Sequence, residues 1–262
     1  MILEERAYIK MKFSKRMDLF GESIFTTLAN MRSERKKQGL EVIDLSIGAP
    51  NIPPTQEVME TIAKEAMKPE NYLYAIQDAV DLQNTVKEWY ERRYGVVIDP
   101  TTELTSLLGS QDGLAHLALT LVDEGDTVLV QDPCYPIFRD GPLLVGAHVV
   151  TMPLLKENDY LIDFDMIDEK TAQDAKYMIV SYPNNPTCGV ANDEFYKKLI
   201  VFAKKYNIVV LHDNAYSELL FEGPGHSFLE FEGAKDVGIE FNSLSKTYGL
   251  AGARIGFAIG NK

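Results

Sequence analysis

At 262 residues the chain is long enough for one large α/β domain or two small ones, and 45% hydrophobic, 10% aromatic and 25% charged residues exclude disordered, collagenous and low-complexity classes. A formal charge of −13 sets the surface against polyphosphates and anionic lipid, so neither nucleic acid nor a membrane is expected as a partner. Two cysteines, Cys134 and Cys188, are too few for a disulfide framework, and no signal peptide or spanning segment is read, so a cytoplasmic protein is expected.

In chain order, helical periodicity predicts helices over 20–37, 55–68 and 79–94, the last with Leu82, Val86, Trp89 and Tyr90 on one stripe. Between the first two, residues 47–55 carry Gly48, Pro50, Pro53 and Pro54 and read as a linker that divides an N-terminal arm, 1–46, from a large domain, 47–262. Short runs rich in Val, Ile and Leu then predict seven strands, over 104–107, 127–131, 147–152, 177–181, 208–212, 238–242 and 254–259. Crossover helices are expected where Leu114, Leu117, Ala118 and Leu121, and later Phe195, Leu199, Phe202 and Ala203, fall on one face. This pattern is that of an α/β fold with a mostly parallel seven-stranded sheet flanked by helices. Residues 222–226 read as a surface loop.

Familiar ligand motifs fail. The four histidines lack zinc-protease spacing, and without a paired cysteine motif no metal site is expected. Gly223 and Gly225 open a glycine fingerprint whose third position is Phe228, and neither a Walker sequence nor a nucleophile elbow occurs.

Four segments at strand ends remain. Ser243-Leu-Ser-Lys246 continues through Gly249 and Gly252 to Arg254, a lysine among small hydroxyls that suits a Schiff-base amine beside a phosphate. His212-Asp213-Asn-Ala-Tyr216 places a carboxylate where it could hold a pyridine nitrogen cationic, or simply cap a helix. In Ser181-Tyr-Pro-Asn-Asn185-Pro-Thr, prolines stiffen a loop from which Asn185 can offer an amide to a phenolic oxygen, unless the loop is a plain turn. Gly109-Ser110-Gln111-Asp112 leads a glycine turn into a helix whose first N–H groups could take a phosphate, or into an ordinary helix capped by Ser110 or Asp112.

Together these segments resemble the class I/II aminotransferases, the aspartate aminotransferase superfamily of fold type I pyridoxal-phosphate enzymes, from Asp44-Leu-Ser-Ile-Gly48 to Gly260. The resemblance implies pyridoxal 5′-phosphate bound at Lys246, Asp213 on its ring nitrogen, and Asn185 and Tyr216 on its ring hydroxyl. It further implies Ser110, Gln111, Ser243 and Arg254 around the phosphate and Tyr135 stacked on the ring. Lys246, Asp213 and Tyr216 would be the catalytic set. Gly48 would face the substrate carboxylate together with Asn185, and Tyr74, or else Tyr72, would reach the neighbouring subunit's pocket, which makes a homodimer the expected assembly. The implied reaction moves an amino group between an L-amino acid and a 2-oxo acid by a ping-pong route. A carbon–sulfur β-lyase on the same fold, or a cofactor-binding chain without turnover, is the alternative.

Two departures from the family pattern stand out. Cys188 replaces the glycine of the Asn-Pro-Thr-Gly loop, at a position expected to need positive φ. The chain also ends at Lys262, where the family continues into a C-terminal small domain, so that domain is expected to be missing and residues 1–46 to include part of its N-terminal portion.

Overall fold

Alternation along the strands decides which helices each side of the sheet receives. The computed structural model describes residues 11–46, 48 and 50–262; residues 1–10 of the expected arm, and Ile47 and Ala49 of the expected linker, lie outside the described residues. The chain divides into two units, Met1–Ile47 and Gly48–Lys262.

In the first unit a 3₁₀ turn, Lys15–Leu19, is capped by Ser14, whose hydroxyl accepts from Arg16 N at 3.3 Å. Helix α1 (Ile24–Lys37) follows and ends on Arg35, Lys36 and Lys37, favourably placed for the negative end of the helix dipole.

The second unit opens with α2 (Gln56–Glu65), capped by Thr55, and α3 (Val80–Tyr94), which stops at Gly95 in the left-handed conformation. There follow β1 (Leu104–Leu107), α4 (Ser110–His116), α5 (Ala118–Leu121), β2 (Thr127–Asp132), α6 (Ile137–Leu144) and β3 (His148–Pro153). The chain continues with α7 (Glu169–Asp174), β4 (Ala175–Ser181), α8 (Asp193–Tyr206), β5 (Val209–Asp213), β6 (Gly238–Ser243), α9 (Leu244–Thr247) and β7 (Gly256–Gly260).

The seven strands form one sheet in the order β1-β7-β6-β5-β4-β2-β3, parallel except for β7, which runs against both neighbours. One face carries Val128, Val130, Ile179, Leu211 and Phe241 against Leu114 of α4, Ala118 of α5 and Phe138 of α6. The opposite face carries Leu129, Met178, Val180, Val210 and Phe257 against α3 and α8. Helix α8 shows why: Phe195, Tyr196, Leu199, Ile200 and Ala203 recur at helical spacing and are all buried, while Asn192 caps its start, accepting from Phe195 N at 2.9 Å.

Several expectations need correction. The apolar stripe 114–121 is not one helix: α4 ends at His116 and α5 starts at Ala118. Strand β7 begins at Gly256 rather than at residue 254; Arg254 sits at φ 55°, which no strand accommodates. Strand β5 extends one residue further, to Asp213, and Ser110 is the first residue of α4, with Gly109 at the cap. Helices α6 and α7 carry too few apolar repeats to be read from periodicity, and Pro142 within α6 hides it further.

Candidate active site

All four singled-out segments leave the same edge of the sheet. Strands β2, β4, β5 and β6 are parallel, and β1, antiparallel to β7, runs the same way as they do, so their carboxyl ends meet on one side. Ligands of open α/β sheets bind outside such an edge.

Asp213 ends β5 and is 6% exposed. No helix follows it, so the capping role does not arise; the chain goes into a turn closed by Leu219 N on Tyr216 O at 2.9 Å. Its Oδ1 is buried without a hydrogen-bond partner. Burial pushes the carboxyl up to about 6, with His212 and Lys246 pulling the other way.

Lys246 stands on α9, one short turn beyond β6, and its ammonium donates to Gly48 O at 2.6 Å while lying 5.5 Å from the centre of the Tyr216 ring. Burial pushes its pKa down, with Asp213 opposing and Arg254 adding to the fall. The Tyr216 hydroxyl donates to the same Gly48 carbonyl at 3.3 Å. Its pKa is pushed up to about 12, first by burial and then by the charge of Asp213, while Asn185 partly offsets this through its hydrogen bond to the phenol. Amine, phenol and carboxyl thus act on one another.

The turn before α4 forms a cradle. Gly109 sits at φ 84°, and a Cβ there would lie 2.3 Å from Arg254 Nη2; a Cβ on Gly256 would lie 2.6 Å from Ser110 N. Both glycines therefore let the Arg254 guanidinium and the start of α4 come close. The N–H groups of Ser110 and Gln111 precede the first bond of the helix, Asp112 N to Gly109 O at 3.1 Å, and are free of intrahelical partners. Arg254 donates to Leu108 O at 3.1 Å and to Ala251 O at 3.2 Å, which holds it over this turn. Ser243 is buried; its hydroxyl caps α9, accepting from Ser245 N at 3.1 Å, and bonds Ser245 Oγ at 2.9 Å.

Tyr135, between β2 and α6, donates its hydroxyl to Gln111 Oε1 at 2.8 Å. Burial raises its pKa, as does Asp213, while Arg254 opposes, so the phenol belongs to the same group. Two adjacent asparagines divide their work. Asn184 is buried, donates to Gln131 Oε1 at 3.2 Å and accepts from Thr187 N and Oγ1 at 3.1 and 2.8 Å, fixing the loop, while Asn185 faces Tyr216. Cys188 has φ 61°, the positive value expected of that position.

Tyr72 and Tyr74 do not join this group. Tyr72 donates to Ala66 O at 2.6 Å, and Tyr74 is 99% exposed. Sequence reasoning missed Gln131, whose Oε1 also accepts from Ser181 N at 2.9 Å, and the buried pair of His212 and Glu240 behind the sheet. A glutamate within the apolar run 238–242 was the available signal for the latter.

The model of the aminotransferase class I and II family matches residues 41–262. The chain belongs to this family. Among aminotransferases similar to it, the LL-diaminopimelate aminotransferases of Aquifex aeolicus and Dehalococcoides mccartyi (strain ATCC BAA-2266) are 44% and 43% identical over 254 and 253 residues. Each alignment takes in 96% of this chain and 65% of the relative, so the chain spans about 65% of their length. Among solved structures, apo-BacF from Bacillus subtilis superposes with a TM-score of 0.89 at 37% identity, covering 96% of this chain and 65% of that one. A double mutant of Thermus thermophilus aspartate aminotransferase gives 0.87 at 25%, with 96% and 65% covered. The expected fold is thereby borne out: the seven-stranded sheet with its flanking helices is the α/β architecture of the fold type I aminotransferases.

The cofactor of class I and II aminotransferases is pyridoxal 5′-phosphate. The residues present fit it. A buried carboxylate oxygen without a donor suits a cationic ring N–H, and the missing Cβ atoms of Gly109 and Gly256 bring the Arg254 guanidinium close to the free N–H groups of Ser110 and Gln111, a donor set that suits a phosphate. Lys246, an amine of lowered pKa beside Asp213 and Tyr216, suits condensation with an aldehyde.

Proposed function

We propose that this aminotransferase-family chain moves an amino group between an L-amino acid and a 2-oxo acid by a ping-pong route, with LL-diaminopimelate as the first donor to test. The names of the relatives at 44% and 43% identity support that donor. The observation that carries the reading is the meeting of Lys246, Tyr216 and the orphaned carboxylate of Asp213 at one sheet edge.

Bound pyridoxal phosphate supplies an aldehyde that condenses with amines and a ring that accepts the electron pair left when a Cα proton departs. The chain's own residues do the rest. Lys246, whose pKa burial lowers, would hold the cofactor through its amine and, when not so engaged, would carry the proton away from Cα. Asp213 keeps the ring nitrogen cationic; a cation against that carboxylate lowers its raised pKa and satisfies Oδ1. Tyr216 and Asn185 would hold the ring hydroxyl, Tyr135 would pack on the ring, and Ser110, Gln111, Ser243 and Arg254 would hold the phosphate.

Gly48 and Asn185 are assigned to the substrate carboxylate, and Tyr74, whose side chain is unengaged among the described residues, to a neighbouring subunit. A homodimer is supported by apolar side chains left exposed near that tyrosine, among them Leu73, Ile76 and Val80. Residues 1–46 are assigned to an arm with part of a small domain, and 47–262 to the cofactor domain. A cytoplasmic location is supported by two free cysteines, and no helix among the described residues is long and apolar enough to cross a membrane.

The test is a visible spectrum of the chain with pyridoxal phosphate, before and after a panel of amino acids. A lysine-bound band that converts to the amine form with LL-diaminopimelate supports the reading. A band that no amino acid converts overturns the transfer, and pyruvate released from cystathionine without an oxo acid replaces it with a lyase.

A further inference from the structure

Directly behind the site, on the sheet face covered by α3 and α8, lies a polar layer that the proposed chemistry does not use. His212 precedes Asp213 on β5 and pairs in register with Glu240 of β6, so both side chains leave the face opposite to Asp213. Both are fully buried. His212 Nδ1 approaches Glu240 Oε2 at 3.2 Å, an ion-pair distance without the alignment of a hydrogen bond, and its Nε2 meets the Tyr196 hydroxyl of α8 at 3.3 Å.

Glu240 is the better satisfied partner. Its Oε1 accepts from the Tyr90 hydroxyl of α3 and from Ser227 Oγ, both at 2.8 Å, and its Oε2 accepts from Phe228 N at 2.6 Å. One carboxylate thus ties a helix, a turn and two strands together. The other ionisable groups around the pair are Tyr196 from α8, Tyr90 and Tyr94 from α3, Glu230 and His226 from the turn, and Asp213 from β5 itself. Burial, joined by the charge of Glu240, raises the pKa of all three tyrosines, which remain neutral donors.

Strand β6 leads from Glu240 to Lys246 within six residues, and β5 leads from His212 to Asp213 within one. We propose that Glu240 is a positioning residue, which through His212 fixes the carboxyl ends of β5 and β6 so that Asp213 and Lys246 address the same ring, and whose negative charge acts on that ring through the sheet. This inference rests on the cofactor reading above.

The experiment uses the full chain loaded with pyridoxal phosphate and compares Glu240→Gln and Glu240→Asp with the unmodified protein. It reads the pH midpoint of the lysine-bound visible band and the rate of cofactor release on dilution. Glu240→Gln removes a negative charge that favours the protonated band, so the midpoint falls by about 1 pH unit, the size of one unit charge acting over roughly 10–15 Å at an effective dielectric of about 20. Cofactor release rises about tenfold as the strand ends lose their tie. Glu240→Asp keeps the charge but shortens the reach, so the midpoint stays while release rises severalfold. A purely structural glutamate would lower the melting temperature and leave both readouts unchanged in Glu240→Gln, which overturns the inference alone. If Glu240→Gln does not fold, unchanged release in Glu240→Asp overturns it instead. No band in the unmodified protein overturns the cofactor reading and this inference with it.

Discussion

The two faces of the sheet each bury a carboxylate on neighbouring strands, and they treat it differently. Behind the sheet Glu240 accepts three hydrogen bonds of 2.6–2.8 Å and closes a network. In front, Asp213 is also buried, and although its carboxyl takes a backbone hydrogen bond from Ala215, its Oδ1 has no donor and its pKa rises to about 6. A fully paired buried carboxylate organises a fold, whereas one left unpaired stores a cost that a cationic ligand can relieve. That difference separates a scaffold residue from a ligand residue more sharply than burial does.

Breaking the front face has the largest expected effect. On the proposed reading, Lys246→Ala cuts transamination at least about a thousandfold, because it removes both the amine assigned to hold the cofactor and the group assigned to move the proton; steady-state turnover checks this. On the same reading, Asp213→Asn costs about a hundredfold or more in turnover, since a neutral amide would not hold a ring nitrogen cationic.

The same substitution should nonetheless stabilise the cofactor-free chain. The carboxyl titrates near 3.8 unfolded and near 6 folded, so the unfolded chain loses its proton first and stability falls as pH rises through that window. Asp213→Asn is therefore expected to gain about 3 kcal/mol at pH 7, shrinking below pH 6 and vanishing below about pH 4, as thermal melts across that range would show. Glu240→Gln should do the opposite and lose about 2–4 kcal/mol at pH 7, because an amide nitrogen now faces donors. Equal signs for the two variants in parallel melts would break the comparison.

Smaller effects belong to the backbone. Gly109→Ala should weaken cofactor binding about tenfold by driving Arg254 from the cradle, as a titration of the visible band would show. Cys188→Gly should raise stability by about 0.5–1 kcal/mol, since a Cβ at φ 61° costs more than glycine's extra chain entropy, and its melt should shift upward.

Strands were legible because apolar β-branched runs bounded by turns leave little choice: all seven expected segments overlap strands of the sheet, and ends moved by at most two residues. The parallel frame then made strand ends informative, and it is there that the singled-out residues come together. What stayed hidden depends on partners far away in sequence. Glu240 and His212 meet only through the register of β5 on β6, and Asn184 differs from Asn185 only because Gln131 of β2 lies beneath it. Arg254 was read into a strand since its local string is apolar, while its φ is set by the cradle it completes. Tyr72 and Tyr74 are both exposed, and only Tyr72 is tied back, by a hydrogen bond to Ala66 O that no spacing rule anticipates.

The shared direction of the strands has a practical side. The carboxyl ends of β1, β2, β4, β5 and β6 open toward one rim, so the opposite rim, where Gly125 and Asn207 make the turns into β2 and β5, carries none of the singled-out residues among the described residues. A fluorophore, an affinity handle or a surface tether placed at those turns would leave the working rim free, and the protein could be immobilised with that rim facing the solution.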